Sequence, residues 1–355
     1  MTTHVFSNPS QLILRNSEVI QARRLLVLAP PVDALGTALL EQGCAREVIG
    51  LTPDYAAYYR LCPVWGRNGR RQRLVYGTDL TAKQEKPFDG VLIFLKKSKP
   101  LMDFWLDYVV TILAPDARVW LVGENNEGIK SWRKRLMRHF PDVVSLDSAR
   151  HCGLLEASGQ QEVVPVFQRD SYWQHYPVRA GGKTFNSYSL PGVFSHGRLD
   201  KGTAVLLETF GQFSARRILD FGCGAGIISA ALGQLQPESH FTLVDSDALA
   251  LASSERTLFE NGLNNVEVLP SDGLQAVKGT FDLIVSNPPF HQGVKTHYDV
   301  TEQFLAQSKK HLNRGGELRV VANSFLRYEP IIVSTFGVCE TMLTKDGFSV
   351  YRACF

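Results

Sequence analysis

Two stretches of this chain spell nearly the same pattern 193 residues apart. "ARRLLVLAPPVDALGTALL", opening at Ala22, lies over "ARRILDFGCGAGIISAAL", opening at Ala215. "FDGVLIFLKK" from Phe88 lies over "FDLIVSNPPF" from Phe281 at the same displacement. "ILAPDARVWLVGEN" from Ile112 lies over "HLNRGGELRVVANS" from His311, displaced by 199. Three correspondences in order, at nearly one offset, argue an internal duplication. Whatever fold the second half adopts, the first half must therefore adopt too, and 355 residues suit two domains of ordinary size.

The second half alternates short apolar runs with amphipathic ones, the pattern of a parallel sheet covered by helices. "RRILDFG", "HFTLVDSD", "VEVLPSDG", "FDLIVSNPPF" and "ELRVVANSF" read as strands. "AGIISAALGQL", "ALALASSERTLFENG" and "TEQFLAQSKKHLNRGG" read as helices, the last two stopped by glycine. Two β-like runs around Lys345-Asp346-Gly347 predict a terminal hairpin. The expected fold class is α/β: two tandem Rossmann-like domains, the first degenerate. The expected division is residues 1–168, a linker over 169–190 with a hairpin at Gly181-Gly182, and residues 191–355.

"LDFGCGAG" follows a strand and opens a helix. Its glycines, Gly222, Gly224 and Gly226, let the backbone take positive φ and approach a ligand closely. Asp245 stands 19 residues beyond Gly226 at the next strand end, the place for a carboxylate that accepts from two ribose hydroxyls. The turn also fits nicotinamide dinucleotides. Asp220 before the glycines leans towards S-adenosylmethionine, whose amino group a carboxylate beside the turn can reach. Asp272 could accept from the adenine amine, or simply make a turn with Gly273.

"SNPPF" ends the fourth strand. An exocyclic base nitrogen is a poor nucleophile because its lone pair is delocalised into the ring. Two acceptors that hold its N–H groups would aim that lone pair at a methyl sulfonium. The side-chain oxygen of Asn287 and the carbonyl of Pro288 are the candidates, with Pro289 fixing the backbone between them. Phe290 offers a face for an extruded base. The first copy keeps the apolar skeleton and loses this chemistry. Ala29, Pro31 and Asp33 stand opposite the three glycines, and Phe94 to Lys97 opposite Asn287 to Phe290.

Composition excludes little. The chain is 44% apolar and 21% charged, with a net charge of +3. Residues 1–165 carry 21 Lys+Arg against 17 Asp+Glu, and the rest 17 against 18, so the basic excess sits in the first half. "GRNGRRQR" from Gly66 is one basic cluster. "EGIKSWRKRLMRHF" from Glu127 is another, expected to be an amphipathic helix. Six scattered cysteines form no C-x-x-C pair and read as reduced thiols, with no metal site expected. No basic-then-apolar leader opens the chain, and no apolar run approaches the roughly 20 residues that span a bilayer. A cytoplasmic protein is expected.

"LDFGCGAG", "VDSD" and "SNPPF" resemble class I S-adenosylmethionine methyltransferases that modify exocyclic amines. With "LPGVFSHGRLDKGTAVLL", "GGELRVVANSFLRY", "LVGENNEG" and "DSARHCGL", nearly the whole chain resembles the RsmC family of bacterial 16S rRNA guanine-N2 methyltransferases. The resemblance implies catalysis in the second copy through Asn287, Pro288, Pro289 and Phe290. It implies S-adenosylmethionine held by Asp220, Gly222, Gly224, Gly226, Asp245 and Asp272, and a first copy that supports folding or RNA binding. The implied partner is 16S rRNA in the 30S subunit, with a monomer as the working form. His196-Gly197 departs from the family, which has Arg-Asp there. The expectations left beside this one are a large-subunit guanine-N2 enzyme, an adenine-N6 enzyme, a catalytically silent RNA-binding assembly factor and an NAD-dependent oxidoreductase.

Overall fold

The computed structural model describes residues 5–80, 87–159, 166–211, 213–288 and 295–355, with backbone alone at 67–68 and 295–299. The chain parts into two compact units, Met1–Tyr172 and Trp173–Phe355.

The first unit contains β1 (Ala22–Leu28), β2 (Ala45–Thr52), β3 (Gln72–Tyr76), β4 (Phe88–Phe94), β5 (Leu113–Glu124), β6 (Asp142–Ala149) and β7 (Cys152–Ser158). They form one sheet in the order β3-β2-β1-β4-β5-β7-β6. The first five are parallel, and β7 and β6 close the edge antiparallel. Central strands such as β1, "ARRLLVL", are buried as continuous apolar runs because helices cover both faces.

The second unit opens with a hairpin, β8 (Gln174–Ala180) and β9 (Lys183–Ser189), turning at Gly181-Gly182. The hairpin packs within this unit: Thr257 Oγ1 accepts from the Tyr188 amide at 2.9 Å, and Asn261 bonds Asn186. Then follow β10 (Arg217–Phe221), β11 (His240–Asp245), β12 (Val266–Pro270), β13 (Phe281–Ser286), β14 (Leu312–Asn323), β15 (Glu340–Lys345) and β16 (Phe348–Cys354). Their order, β12-β11-β10-β13-β14-β16-β15, repeats that of the first sheet. Lys345 pairs with Phe348 across Asp346-Gly347, both at positive φ, as a two-residue hairpin requires.

The repeat holds at the level of single pairs. Leu25 faces Gly90 and Ile218 faces Leu283; Arg24 faces Glu47 and Arg217 faces His240. Even the irregularity recurs, between Phe88 and Gly90 and again between Phe281 and Leu283. The repeated Phe-Asp has a physical cause. Asp89 accepts from the amides of Arg23 and Arg24 at 2.9 and 2.7 Å, and Asp282 accepts from those of Arg216 and Arg217 at 2.9 and 3.0 Å. Each carboxylate thus ties the start of the central strand to its neighbour. The second arginine of each pair stands over the matching ring, Arg24 over Phe88 and Arg217 over Phe281.

The duplication reaches further than the letters showed. The helices Asn8–Arg15 and Lys201–Glu208 begin at the same 193-residue offset. Ser7 caps the first by accepting from the Ser10 amide, and Asp200 caps the second by accepting from the Thr203 amide. The segment from Glu127 differs from expectation. It is not one helix but two 3-10 turns and a single α-turn, Arg133–Leu136, set off by Gly128 in the left-handed region. The expected division of faces survives: Ile129, Trp132, Leu136 and Phe140 are buried, and Lys130, Arg133, Lys134 and Arg138 are exposed. Arg135 is drawn aside by Asp103 and by the Trp132 ring.

Candidate active site

From β10 the chain steps outward through β11 to β12, then returns to β13 on the other side of β10. The strand order thus reverses between β10 and β13, and open α/β sheets bind ligands outside the carboxyl ends of the strands at such a point. The glycine turn leaves β10 and the Asn287 motif leaves β13. Ser286 Oγ donates to the Phe221 carbonyl at 2.7 Å, so the two strand ends are tied at this point.

Gly222, Gly224 and Gly226 all lie at positive φ, +68°, +54° and +74°. The first two differ from the third. Among the described residues a Cβ at Gly222 or Gly224 would meet nothing within 4 Å, whereas one at Gly226 would stand 3.0 Å from the Ser254 Cα. Gly226 lets the helix Ile227–Leu235 pack against Ala248–Glu260, and Gly222 and Gly224 leave an open, backbone-lined cradle. Cys223 between them is buried and receives a hydrogen bond from Ser254 Oγ, a packing role.

The acids around the turn have distinct surroundings. Asp245 Oδ2 accepts from the Gly224 amide and Oδ1 from the Asp247 amide, each at 3.0 Å. These two bonds fix the carboxylate in place. Asp220 has no exposed surface. Its Oδ2 accepts from the Ser229 amide and hydroxyl at 3.2 and 2.7 Å, and its Oδ1 meets no donor among the described residues. Burial pushes the Asp220 carboxyl up to about 7, against the pull of the Ser229 bonds. Asp272 is half-buried just past β12.

The first copy shows what was given up. Ala29, at the Gly222 position, is still at φ +51° and still donates to Leu51 at 2.8 Å, as Gly222 donates to Val244. Thr52 stands where Asp245 does and accepts from the Asp54 amide. Pro31, opposite Gly224, has no N–H for a carboxylate to accept.

Asn287 is half-buried and Pro288 buried at the end of β13; Pro289 and Phe290 lie outside the described residues. Asn287 Nδ2 donates to Asp200 Oδ2 at 2.9 Å and to Thr203 Oγ1 at 2.8 Å. Its Oδ1 is buried and meets no donor among the described residues. The structure thus brings together Asp220, Gly222 and Gly224 at the end of β10, Asp245 at the end of the neighbouring β11, and Asn287 and Pro288 just past β13 on the other side of β10. Asp200 and Thr203 were missed in the sequence. The signal for them was an Asp-x-x-Thr start before the apolar run "AVLL", an N-cap pattern that gives no hint of a second partner. Among the described residues no helix is long and apolar enough to cross a membrane.

Comparison with known proteins agrees with this division. Residues 184–352 match the methyltransferase small domain, and residues 10–176 match the methyltransferase small domain N-terminal family. A Pseudomonas entomophila protein named ribosomal RNA small subunit methyltransferase C is 44% identical, over 97% of this chain and 98% of its own length. A Pseudomonas fluorescens protein of the same name is 41% identical over the same shares. Among solved structures, the Thermus thermophilus 16S rRNA N2 G1207 methyltransferase RsmC, in complex with AdoMet and guanosine, matches with a TM-score of 0.82. It is 24% identical and covers 98% of this chain and 92% of its own, which supports the two-domain fold. On near full-length identity of this order, the chain belongs to the ribosomal RNA small subunit methyltransferase C family, RsmC, whose members are class I methyltransferases built from two such domains.

Proposed function

We propose that this chain transfers a methyl group from S-adenosylmethionine to the exocyclic N2 amine of a guanine in 16S rRNA, within the assembled 30S subunit. The observation that carries this reading is Asn287 Oδ1, a buried acceptor with no donor among the described residues, just past the end of β13, which pairs with the strand that leads into the glycine turn. Such an atom costs about 1–3 kcal/mol if nothing meets it. An amine N–H of a base would satisfy it. The names of the relatives and the AdoMet and guanosine in the Thermus complex support the same assignment.

The residues present fit the cofactor. Gly222 and Gly224 would take its backbone-facing edge, where no Cβ intrudes. Asp245, fixed by two amides, would accept from ribose hydroxyls, and Asp272 from the adenine amine. Asp220, poised near neutrality, would meet the amino group through Oδ1, which has no donor among the described residues. When bound, S-adenosylmethionine supplies an electrophilic methyl carbon on a sulfonium. The chain's own work is positional. Asn287 Oδ1 and the Pro288 carbonyl accept the two N–H groups of the amine, which rotates the nitrogen lone pair out of the ring plane and aims it. No general base need act first, because the amine proton is acidic only after transfer. Preorganised positioning of this kind supplies rate factors without proton chemistry. Pro289 would stiffen the loop and Phe290 would stack on the base, a contact worth about 1–3 kcal/mol. The first unit, Met1–Tyr172, would support folding or RNA binding, and the working form is a monomer in the cytoplasm with no metal.

The test is to incubate the protein with labelled S-adenosylmethionine and undermethylated 30S subunits, 50S subunits or naked rRNA, then identify the product nucleoside. N2-methylguanosine in 30S subunits is expected. Product in 50S subunits alone would move the target to the large subunit, and its absence from all three would overturn the reading.

A further inference from the structure

Asn287 cannot set its own orientation. A primary amide is nearly symmetric in shape, and a half-turn exchanges an acceptor for a donor. With the nitrogen end towards the base, the site would present an N–H to an N–H. Whatever fixes the amide therefore decides whether the site works. Both protons of Asn287 Nδ2 are taken, by Asp200 Oδ2 at 2.9 Å and Thr203 Oγ1 at 2.8 Å. A carboxylate accepts only, so the nitrogen end of the amide is the end that faces it. Oδ1 is left on the opposite side.

Neither partner belongs to the Asn287 motif. Both come from the start of the helix Lys201–Glu208, 87 and 84 residues earlier. Asp200 is itself locked, because the same Oδ2 accepts from the Thr203 amide at 2.9 Å. Gly202 makes room for it, since a Cβ there would stand 3.0 Å from that oxygen. Thr203 is buried.

The first copy supplies the internal control. At the positions of Asp200, Thr203 and Asn287 it has Ser7, Ser10 and Phe94. Ser7 caps its helix, and its hydroxyl bonds the Ser10 hydroxyl at 2.9 Å. The cap is thus satisfied by a serine. The longer, acidic residue is present in the copy that has an amide to hold.

We infer that Asp200 and Thr203 are positioning residues that hold the Asn287 amide with its oxygen towards the guanine amine. The inference rests on the guanine-N2 reading above. The critical variant is Asp200→Ser, which keeps a good cap but is one bond too short to reach Asn287. Its kcat is expected to fall by about 30-fold or more, with KM for 30S subunits and affinity for S-adenosylhomocysteine within about threefold of wild type. Asp200→Asn, which keeps an acceptor at the same reach, stays within about tenfold of wild type. Thr203→Val loses turnover and Thr203→Ser recovers it.

A second readout is independent of turnover. With 15N-labelled asparagine, the Asn287 side-chain amide protons exchange slowly with solvent in wild type and at least about tenfold faster in Asp200→Ser. Wild-type turnover in Asp200→Ser, a loss that merely follows cofactor affinity, or unchanged amide exchange would each overturn the inference. If wild type makes no N2-methylguanosine, the guanine reading fails, and the exchange comparison still decides whether Asp200 holds the amide.

Discussion

Asn287 has two ends with separate duties. Nδ2 is bound inside the protein, and Oδ1 is buried with no donor among the described residues. Asn287→Ala therefore removes the acceptor without touching the glycine cradle. Turnover is expected to fall by about 100-fold or more while cofactor affinity, measured by calorimetry, stays within about threefold. Loss of both together would mean that Asn287 shapes the cradle. Asp220 makes a different prediction. Its carboxyl is raised to about 7 in the folded chain from an ordinary 3.8. Between those values the folded state holds a proton that the unfolded state has released. Stability from this group therefore falls as pH rises through that window and stays low above it. Asp220→Asn removes the titration, so its melting temperature relative to wild type should be higher at about pH 8 than at about pH 4.5. An identical difference at both pH values would show that Asp220 is not the titrating group.

At the scale of elements, the repeated Asp clamp explains what could be seen in the sequence and what could not. Phe88-Asp89 and Phe281-Asp282 were recognisable because in each copy one short acceptor side chain meets two successive amides. Most helices and strands of the second unit were legible as apolar runs of the right period, but the helix expected over 301–316 ends at Ser308, the strand Leu312–Asn323 already holds the glycine pair taken for its stop, and the helix Glu329–Phe336 was not read. The capping helices were not. Ser7 and Asp200 do one job with different letters, since N-caps are interchangeable in chemistry. The segment from Glu127 has helical spacing, yet it folds as separate turns, with Gly128 in the left-handed region between the two 3-10 turns. Of the site, the glycines, Asp245 and Asn287 were legible as motifs. Asp200 and Thr203 were not, because their meaning depends on a partner more than eighty residues away. The clamp also predicts a stability effect. Burial pushes the Asp282 carboxyl up, but bonds from Asn313 Nδ2 and the Arg217 and Arg216 amides outweigh it and hold the carboxyl below its ordinary value. Such a group contributes stability above the unfolded pKa and loses it as pH falls. Asp282→Ala should cost about 1–3 kcal/mol near neutrality and less below about pH 4, read from denaturant midpoints. A cost independent of pH would point to packing instead of the carboxylate.

At the scale of the whole molecule, two units with one topology divide their tasks unequally. The first keeps the turn at Ala29 in its left-handed conformation but carries a methyl where Gly222 is open, a proline where Gly224 donates, and Thr52 where Asp245 accepts. These three changes remove the close approach, the fixed carboxylate and its charge. Calorimetric titration with S-adenosylhomocysteine is expected to saturate at one ligand per chain, and two would show that the first unit retains a site.

The matching registers have one more consequence, for the path by which the chain reaches this structure. A strand such as β10 carries the spacing that would let it dock beside β4, and β1 beside β13, because both sheets pair at equivalent positions. On the ribosome the first unit emerges complete before the second, so the wrong partner is not yet present. Refolding from denaturant releases the strands of both sheets at once. The trapped fraction should then be independent of protein concentration, since the mispairing lies within one chain. Losses that vanish on dilution would instead mark ordinary aggregation. Vectorial synthesis is in this sense part of what lets a duplicated sheet sort its strands.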